Sequence, residues 1–261
     1  MDVSVMTKVG ADFPDEQAVW LARNGIALKE AHRSRGSATT RFKLEPRGAS
    51  RTLTLVSRCE DITAEQLPQG RVNASLVSPI AGEVSGELLA EIAARSDFTF
   101  LDPQGFVRSF GKTGTATIAS PKDDRFLSRV DAVKMDREEA TALTGKVGPM
   151  EALQKLSSLG VKKGVVTQGS DSCYVLDGTR IYVVRVPQVQ VVDATGAGDI
   201  LGGALVSTYL RTREFLRSAC FGIAASSLSL HLIALSKVDL PMSVDEAGMR
   251  LYSQATPVAS V

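Results

Sequence analysis

The sequence predicts an α/β fold: a three-layer α/β/α sandwich around a mostly parallel central sheet, with a small β lid. Three observations carry this. From residue 74 onward, short apolar runs alternate with segments of helical length, the pattern of parallel strands covered by helices on both faces. A glycine-rich turn, Asp193-Ala194-Thr195-Gly196-Ala197-Gly198-Asp199, separates a valine-rich run from a helix-like stretch. Between residues 26 and 58 several short strand-like pieces, parted by turn chemistry, interrupt the alternation. The expected division is an α/β core of residues 1–25 and 59–261 and a β lid of residues 26–58.

In chain order, Val3 to Val9 reads as a buried strand and Pro14 to Arg23 as a helix that ends at Asn24-Gly25. Ile26 to Ala31, Ala38 to Leu44 and Arg51 to Arg58 are the lid strands, separated by Ser34-Arg35-Gly36 and Pro46-Arg47-Gly48. Ala74 to Val77 is a short strand, Gly86 to Arg95 a helix and Phe98 to Leu101 a strand. Ala132 to Met135 follows as a strand, with helices at Arg137 to Leu143 and Met150 to Leu159. Gly164 to Thr167, Cys173 to Leu176 and Arg180 to Val184 are strand-like, and Val186 to Val192 is extended. Ile200 to Leu210, Arg213 to Leu232 and Val244 to Ser253 are helical. Ligands of such sheets bind beyond the carboxyl ends of the strands.

Composition narrows the function. The 261 residues are 44% hydrophobic and 23% charged, ordinary for a water-soluble globular chain. Thirty basic and 29 acidic residues leave a net charge of +1, so no global field draws nucleic acid or membrane. The local basic cluster of Arg33, Arg35, Arg41, Lys43, Arg47 and Arg51 suits a solvated hairpin face. Cys59, Cys173 and Cys220 form no CxxC pair, which argues for a reduced cytoplasmic setting without a zinc site. His32 and His231 are too few for a histidine metal cluster. No apolar run reaches the length of a membrane span, and residues 1–10 lack a signal-peptide block.

The glycine turn is the densest chemical signal. Gly196 and Gly198 let the backbone turn sharply and approach a ligand. The amides opening the next helix, with its dipole, favour an anion. On the residues alone, Asp199 is either a helix cap or a proton acceptor beside that anion site. Asp136, with Glu139 three residues on, reads as a helix N-cap with a capping-box partner. Asp102 before Pro103 reads as a turn residue. Gly111-Lys112-Thr113 imitates the end of a phosphate-binding P-loop, but five residues separate it from Gly105 where four are required.

The whole Asp193–Asp199 pattern resembles a signature of the ribokinase-like (PfkB) carbohydrate kinase family. Further segments agree. Lys134-Met135-Asp136-Arg137-Glu138-Glu139-Ala140 resembles the family's Asn-x-x-Glu segment, with Asp136 where Asn is usual. Val165-Val166-Thr167-Gln168-Gly169 resembles its strand-end Thr-x-Gly, with Ser172 in place of the second glycine of the longer form. Leu101-Asp102-Pro103-Gln104-Gly105-Phe106-Val107-Arg108 is similar to a segment of polyol and sugar kinase members, and Val9-Gly10-Ala11-Asp12 to the family's early Val-Gly-x-Asp.

The resemblance implies ATP-dependent phosphoryl transfer to a hydroxyl of a sugar or polyol. In that reading Asp199 is the base, Gly196, Ala197 and Gly198 shape the anion hole, and the amides from Thr195 to Gly198 supply it. Asp136, Thr167, Gly169, Thr195 and Gly198 attend the nucleotide, Glu139 acts on Mg²⁺ through water, and Asp102 joins Asp199 on the substrate. The alternatives are a nucleoside kinase of the same fold or a catalytically impaired nucleotide-binding remnant with a regulatory or structural role. The expected partner is a small-molecule acceptor, with a homodimer through lid or sheet edges and neither nucleic acid nor membrane. Family members also carry, before the segment matching Val3, a strand, a substrate-holding aspartate, further lid strands and a Gly-Gly pair. The expectation is that roughly 35–50 such residues lie upstream of Met1 and that without them transfer is poor.

Overall fold

The computed structural model describes residues 2–26, 32–47, 50–231 and 243–261. Its first helix is α1 (Asp15–Arg23), followed by a hairpin of β1 (Arg41–Arg47) and β2 (Ser50–Ser57). Then come β3 (Ser75–Val77), α2 (Gly86–Ala94), β4 (Thr99–Leu101) and the short α3 (Gln104–Val107). A second hairpin, β5 (Arg108–Phe110) and β6 (Ala116–Ile118), precedes β7 (Ala132–Asp136), α4 (Arg137–Thr144) and α5 (Pro149–Ser158). The remainder is β8 (Lys163–Thr167), β9 (Cys173–Asp177), β10 (Arg180–Val184), α6 (Ala197–Thr212), α7 (Phe215–Ser229), α8 (Ser243–Gln254) and β11 (Thr256–Ser260).

The central sheet has seven strands in the order β11-β10-β9-β8-β7-β4-β3. Strands β3, β4, β7 and β8 run parallel, and β9 to β11 continue antiparallel from β8. Because side chains alternate along a strand, successive residues feed two cores. Leu101, Val133, Met135 and Val166 pack with α2, α4 and α5. Phe100, Ala132, Val165 and Val175 pack with α6, α7 and α8. This is the expected α/β/α sandwich.

Helix ends obey local chemistry. Ser85 caps α2 by accepting the Leu88 amide at 3.1 Å, and α4 stops at Gly145 in the left-handed region, φ 68°. The two hairpins are joined: Leu55 N–H donates to the Gly114 carbonyl at 2.8 Å, and the Phe42 and Phe110 rings lie 6.0 Å apart.

Several expectations need correction. Val3 to Val9 makes one parallel bridge, Val9 to Arg33, and is otherwise not a strand; among the described residues no strand lies alongside it to complete a ladder. Val186 to Val192, read as extended, also forms no strand: Pro187 lacks an amide donor, and among the described residues no ladder partner adjoins the run. The sequence reading did not anticipate α3, β5, β6 or β11. The Gly111-Lys112-Thr113 segment is the turn of the second hairpin, with Gly114 N–H donating to Gly111 O at 2.9 Å. The strand expected at Ile26 to Ala31 lies almost wholly outside the described residues.

Leu205 is fully buried at the centre of the α6–α7 layer. Leu205→Ala should cost about 2–5 kcal/mol through lost contacts and a cavity. A urea melt should show a lower midpoint at unchanged slope.

Candidate active site

Parallel strands deliver their last residues to one edge of the sheet. Here that edge receives Ser78 after β3, Asp102 after β4, Lys134 and Asp136 from β7, and Thr167 from β8. In the β4–β7 register Phe100 faces Ala132 and Leu101 faces Val133, so the next position sets Asp102 against Lys134. Lys134 Nζ donates to Asp102 Oδ2 at 2.9 Å, with side chains only 6% and 3% exposed. Asp102 Oδ1 is buried and, among the described residues, has no hydrogen-bond partner. Burial opposes the Lys134 charge, but the carboxylates of Asp102, Glu139 and Asp136 outweigh it and hold the ammonium above its ordinary pKa.

Above this pair stands the start of α6. Gly196 is its N-cap, in the left-handed region at φ 77° that glycine tolerates, and no side chain caps the helix. Thr195 N–H donates to Asp193 Oδ1 at 2.9 Å, and Ala197 N–H reaches Ala194 O at 3.3 Å. Two of the four amides expected in the anion hole therefore have protein partners in this conformation. The Gly198 amide, second in the helix, is one that no helical carbonyl can reach. A Cβ on Gly198 would lie 2.8 Å from Lys134 Nζ and 3.9 Å from Asp102 Oδ2, so any larger residue there would have to displace the lysine head from its present place.

Asp199 does not cap the helix. It opens to the cleft, and Ser78 Oγ donates to its Oδ1 at 3.4 Å. Desolvation, then the Asp102 charge, push its pKa up, while Lys134, Ser78 and Arg108 act the other way. A base needs this kind of raised proton affinity.

Asp136 and Glu139 form a complete reciprocal cap: Glu139 N–H donates to Asp136 Oδ1 and Asp136 N–H to Glu139 Oε2, each at 2.8 Å. Burial, opposed by Lys134, raises Glu139 from an ordinary 4.5 to about 7. Thr167 ends β8, and Gly169 turns the chain just beyond it at φ 63°.

Most of these groups line a cleft of about 1520 Å³. The hairpins supply Phe42, Leu53 and Thr117 to its rim, and the Val186–Val191 segment with Leu230 forms an apolar wall. Thr167, Gly169, Thr195 to Asp199, Asp136 and Glu139 all line it, whereas Asp102 does not. Asp102 sits behind Lys134, which weakens its expected direct contact with substrate. Sequence reasoning missed Lys134, Ser78, Gln104 and Arg108 as site residues. A lysine inside an otherwise apolar strand, Ala132 to Met135, was the signal available for the first.

Among the described residues no three Asp, Glu, His or Cys side chains converge as a ready-made metal cage. Glu139 Oε2 is committed to the Asp136 amide. The surplus of carboxylates (Asp102, Asp136, Glu139 and Asp199 against Lys134 and Arg108) nevertheless fits a hydrated Mg²⁺ held with few protein ligands. Asp136 and Glu139 would hold it through water.

The fold and this strand-edge site are those of an open α/β sheet that takes its ligands beyond the carboxyl ends of its strands. The pfkB family carbohydrate kinase model matches residues 1–235, and the chain belongs to that family. It is 32% identical to an inositol 3-kinase of Zea mays over 206 residues, covering 75% of this chain and 50% of that protein. With an inositol 3-kinase of Arabidopsis thaliana identity is 25%, over 91% of this chain and 65% of the relative. The chain thus spans half to two thirds of the length of these curated relatives. A pyrophosphate-dependent kinase in the ribokinase family superposes with a TM-score of 0.81 at 21% identity, covering 95% of this chain and 86% of its own; at that identity the likeness shows the fold alone.

A carboxyl whose folded pKa is raised favours folding at low pH and loses that contribution as pH climbs through the folded value. For Glu139 the window is 4.5 to about 7. Urea melts at pH 5 and pH 8 should find that Glu139→Gln loses less stability across this window than the parent, by on the order of 1–3 kcal/mol.

Proposed function

We propose that this protein transfers the γ-phosphoryl group of ATP to a hydroxyl of a sugar or polyol, with inositol-like acceptors favoured by its sequence relatives. The observation that carries this reading is Asp199 at the uncapped start of α6, facing the cleft beside the Gly198 amide. Asp199 takes the proton of the acceptor hydroxyl, whose oxygen bonds to the γ-phosphorus as the bond to the ADP oxygen breaks. The Gly196–Gly198 turn and helix dipole stabilise the charge spread over the transferring group. Asp136, Thr167, Gly169 and Thr195 line the donor side. When bound through water at Asp136 and Glu139, Mg²⁺ would neutralise donor phosphate charge. Asp102 contributes to acceptor placement from behind Lys134.

The apolar wall of Val186, Val189, Val191 and Leu230 supports a nucleoside-bearing donor over bare pyrophosphate, because a flat base gains from desolvation there. The hairpins at the rim support the lid role, with residues 26–58 as its sequence extent and β5–β6 as an addition. Among the described residues no helix is long and apolar enough to cross a membrane, and the three cysteines are buried thiols; the latter supports the cytoplasmic reading. Homodimerisation through lid or sheet edges remains part of the proposal.

Asp199→Asn should lower turnover roughly 10²- to 10⁴-fold and leave nucleotide affinity nearly intact; wild-type turnover would remove the base assignment. Assayed with ATP and pyrophosphate against inositols, sugars and nucleosides, the parent should prefer ATP with a polyol. A nucleoside preference would favour the nucleoside-kinase alternative, and donor binding without transfer would favour the remnant.

Glu139→Gln should raise the magnesium needed for half-maximal rate several-fold, and Asp136→Asn should be tolerated. An unchanged magnesium requirement would leave Glu139 as a helix cap alone.

A further inference from the structure

A lysine in the middle of a parallel sheet is costly. Lys134 occupies a strand position whose neighbours Ala132, Val133 and Met135 are fully buried, and alternation points it at the α6 layer with Ala132. Removing two charges from water costs several kcal/mol per ion, and apolar residues of similar volume would often pack at least as stably. Asp102 adds to that cost, because its Oδ1 has no partner among the described residues. Sheet stability therefore does not account for the pair. Its location suggests what does: Nζ lies 2.8 Å and Oδ2 3.9 Å from where a Gly198 Cβ would be, directly under the first turn of the helix that carries Asp199.

We propose that the Asp102–Lys134 pair is a positioning element of the transfer site, seating the Gly198 turn and setting the charge balance around the Asp199 carboxylate from below. This rests on the reading of Asp199 as the base. The pair is asymmetric in its effect. Asp102 makes a negative Asp199 less favourable, and Lys134 makes it more so. The other charged groups facing this region are Arg108 from β5, Asp136 at the end of β7 and Glu139 from α4. Arg108 acts in the same sense as Lys134 on Asp199, while Asp136 and Glu139 both bear on Lys134 itself. The lysine is thus the buried cation shared by the base side and the magnesium side of the cleft. Gln104 Nε2, 3.5 Å from Asp102 Oδ2, adds a neutral contact on the acceptor side.

The signature of such a pair is a pH shift of opposite sign from its two members. Asp102→Asn, close in shape, should move the acid limb of the kcat–pH profile down by roughly 0.5–1 pH unit. Lys134→Gln, whose amide can still donate to Asp102, should move it up by a similar amount. A pair that merely supports the fold would lower thermal stability in both variants and leave the limb where it is. That outcome, or shifts of the same sign, would overturn the proposal. Should one variant fail to fold, the direction of the other decides. Carboxyl ¹³C NMR of Asp199 in the unliganded parent and variants follows the same shifts without turnover. If Asp199→Asn retains full activity while the Asp199 resonance still moves with Asp102 and Lys134, the base assignment falls and the charge coupling stands; an unmoved resonance removes the coupling itself.

Discussion

A parallel strand covered on both faces can carry polar chemistry cheaply only where it ends. In β3, β4 and β8 the buried body of the strand is apolar or Gly and Thr bonded within the sheet, and the reactive side chains begin where the strand stops. Because the strands are parallel, those stops fall on one edge. The site is thus a by-product of covering the sheet: once α2, α4 and α5 occupy one face and α6, α7 and α8 the other, Ser78, Asp102, Asp136 and Thr167 have a shared place to be. Lys134 is the departure, one residue pair deeper than the edge, and its burial is what forces Asp102 to be its partner.

Helix α6 links that edge to the solvent side of the cleft. Its packing is close: Gly202 lies against Leu76 and Phe100, and Gly222 of α7 against the Leu201 carbonyl and Leu205. Small residues at these crossings bring the helix down onto the sheet, and the descent places Gly198 against the ion pair. The two hairpins, joined through Leu55 and Gly114, line the same cleft through Phe42, Leu53 and Thr117. The cleft is lined both by charged groups (Lys134, Asp136, Glu139, Asp199, Arg108) and by apolar ones (Phe42, Leu53, Val186, Val189, Val191, Leu230), a mixture that suits a ligand with polar and apolar parts.

Much of this could be read from the chain. The Gly196-x-Gly198 turn announces a helix start, and the Asp136–Glu139 spacing announces a cap; both are local and both lie where expected. What resisted reading was nonlocal. Val3 to Val9 and Val186 to Val192 have strand-like composition, yet a strand exists only if a neighbour pairs with it, and no composition rule supplies the neighbour. β11 was hidden for the converse reason: Thr256–Ser260 contains Pro257, which weakens a strand reading, but at the sheet edge a missing donor is tolerated. The Asp102–Lys134 contact joins residues 32 apart in sequence and is set by the β4–β7 register, so neither residue reveals it alone. Asp102 as a turn residue and Lys134 as a strand residue are each correct locally and silent about the pair.

The electrostatics of Asp199 set opposing influences against one another on a single carboxyl. The amino end of α6 favours its ionised form, as do Lys134 and Arg108, while desolvation and Asp102 oppose it and prevail. An anion seated at the uncapped helix start would occupy the same positive end and add negative charge beside the carboxylate. Both effects raise the proton affinity of Asp199 further. With Asp199 as the proposed base, a phosphate-bearing donor in place would make it a stronger proton acceptor than a cleft holding water, which would couple proton removal from the acceptor to the presence of the group it attacks. A side-chain cap at Gly196 would compete with an anion for the amides at the helix start, so an uncapped turn is what the proposed anion site requires.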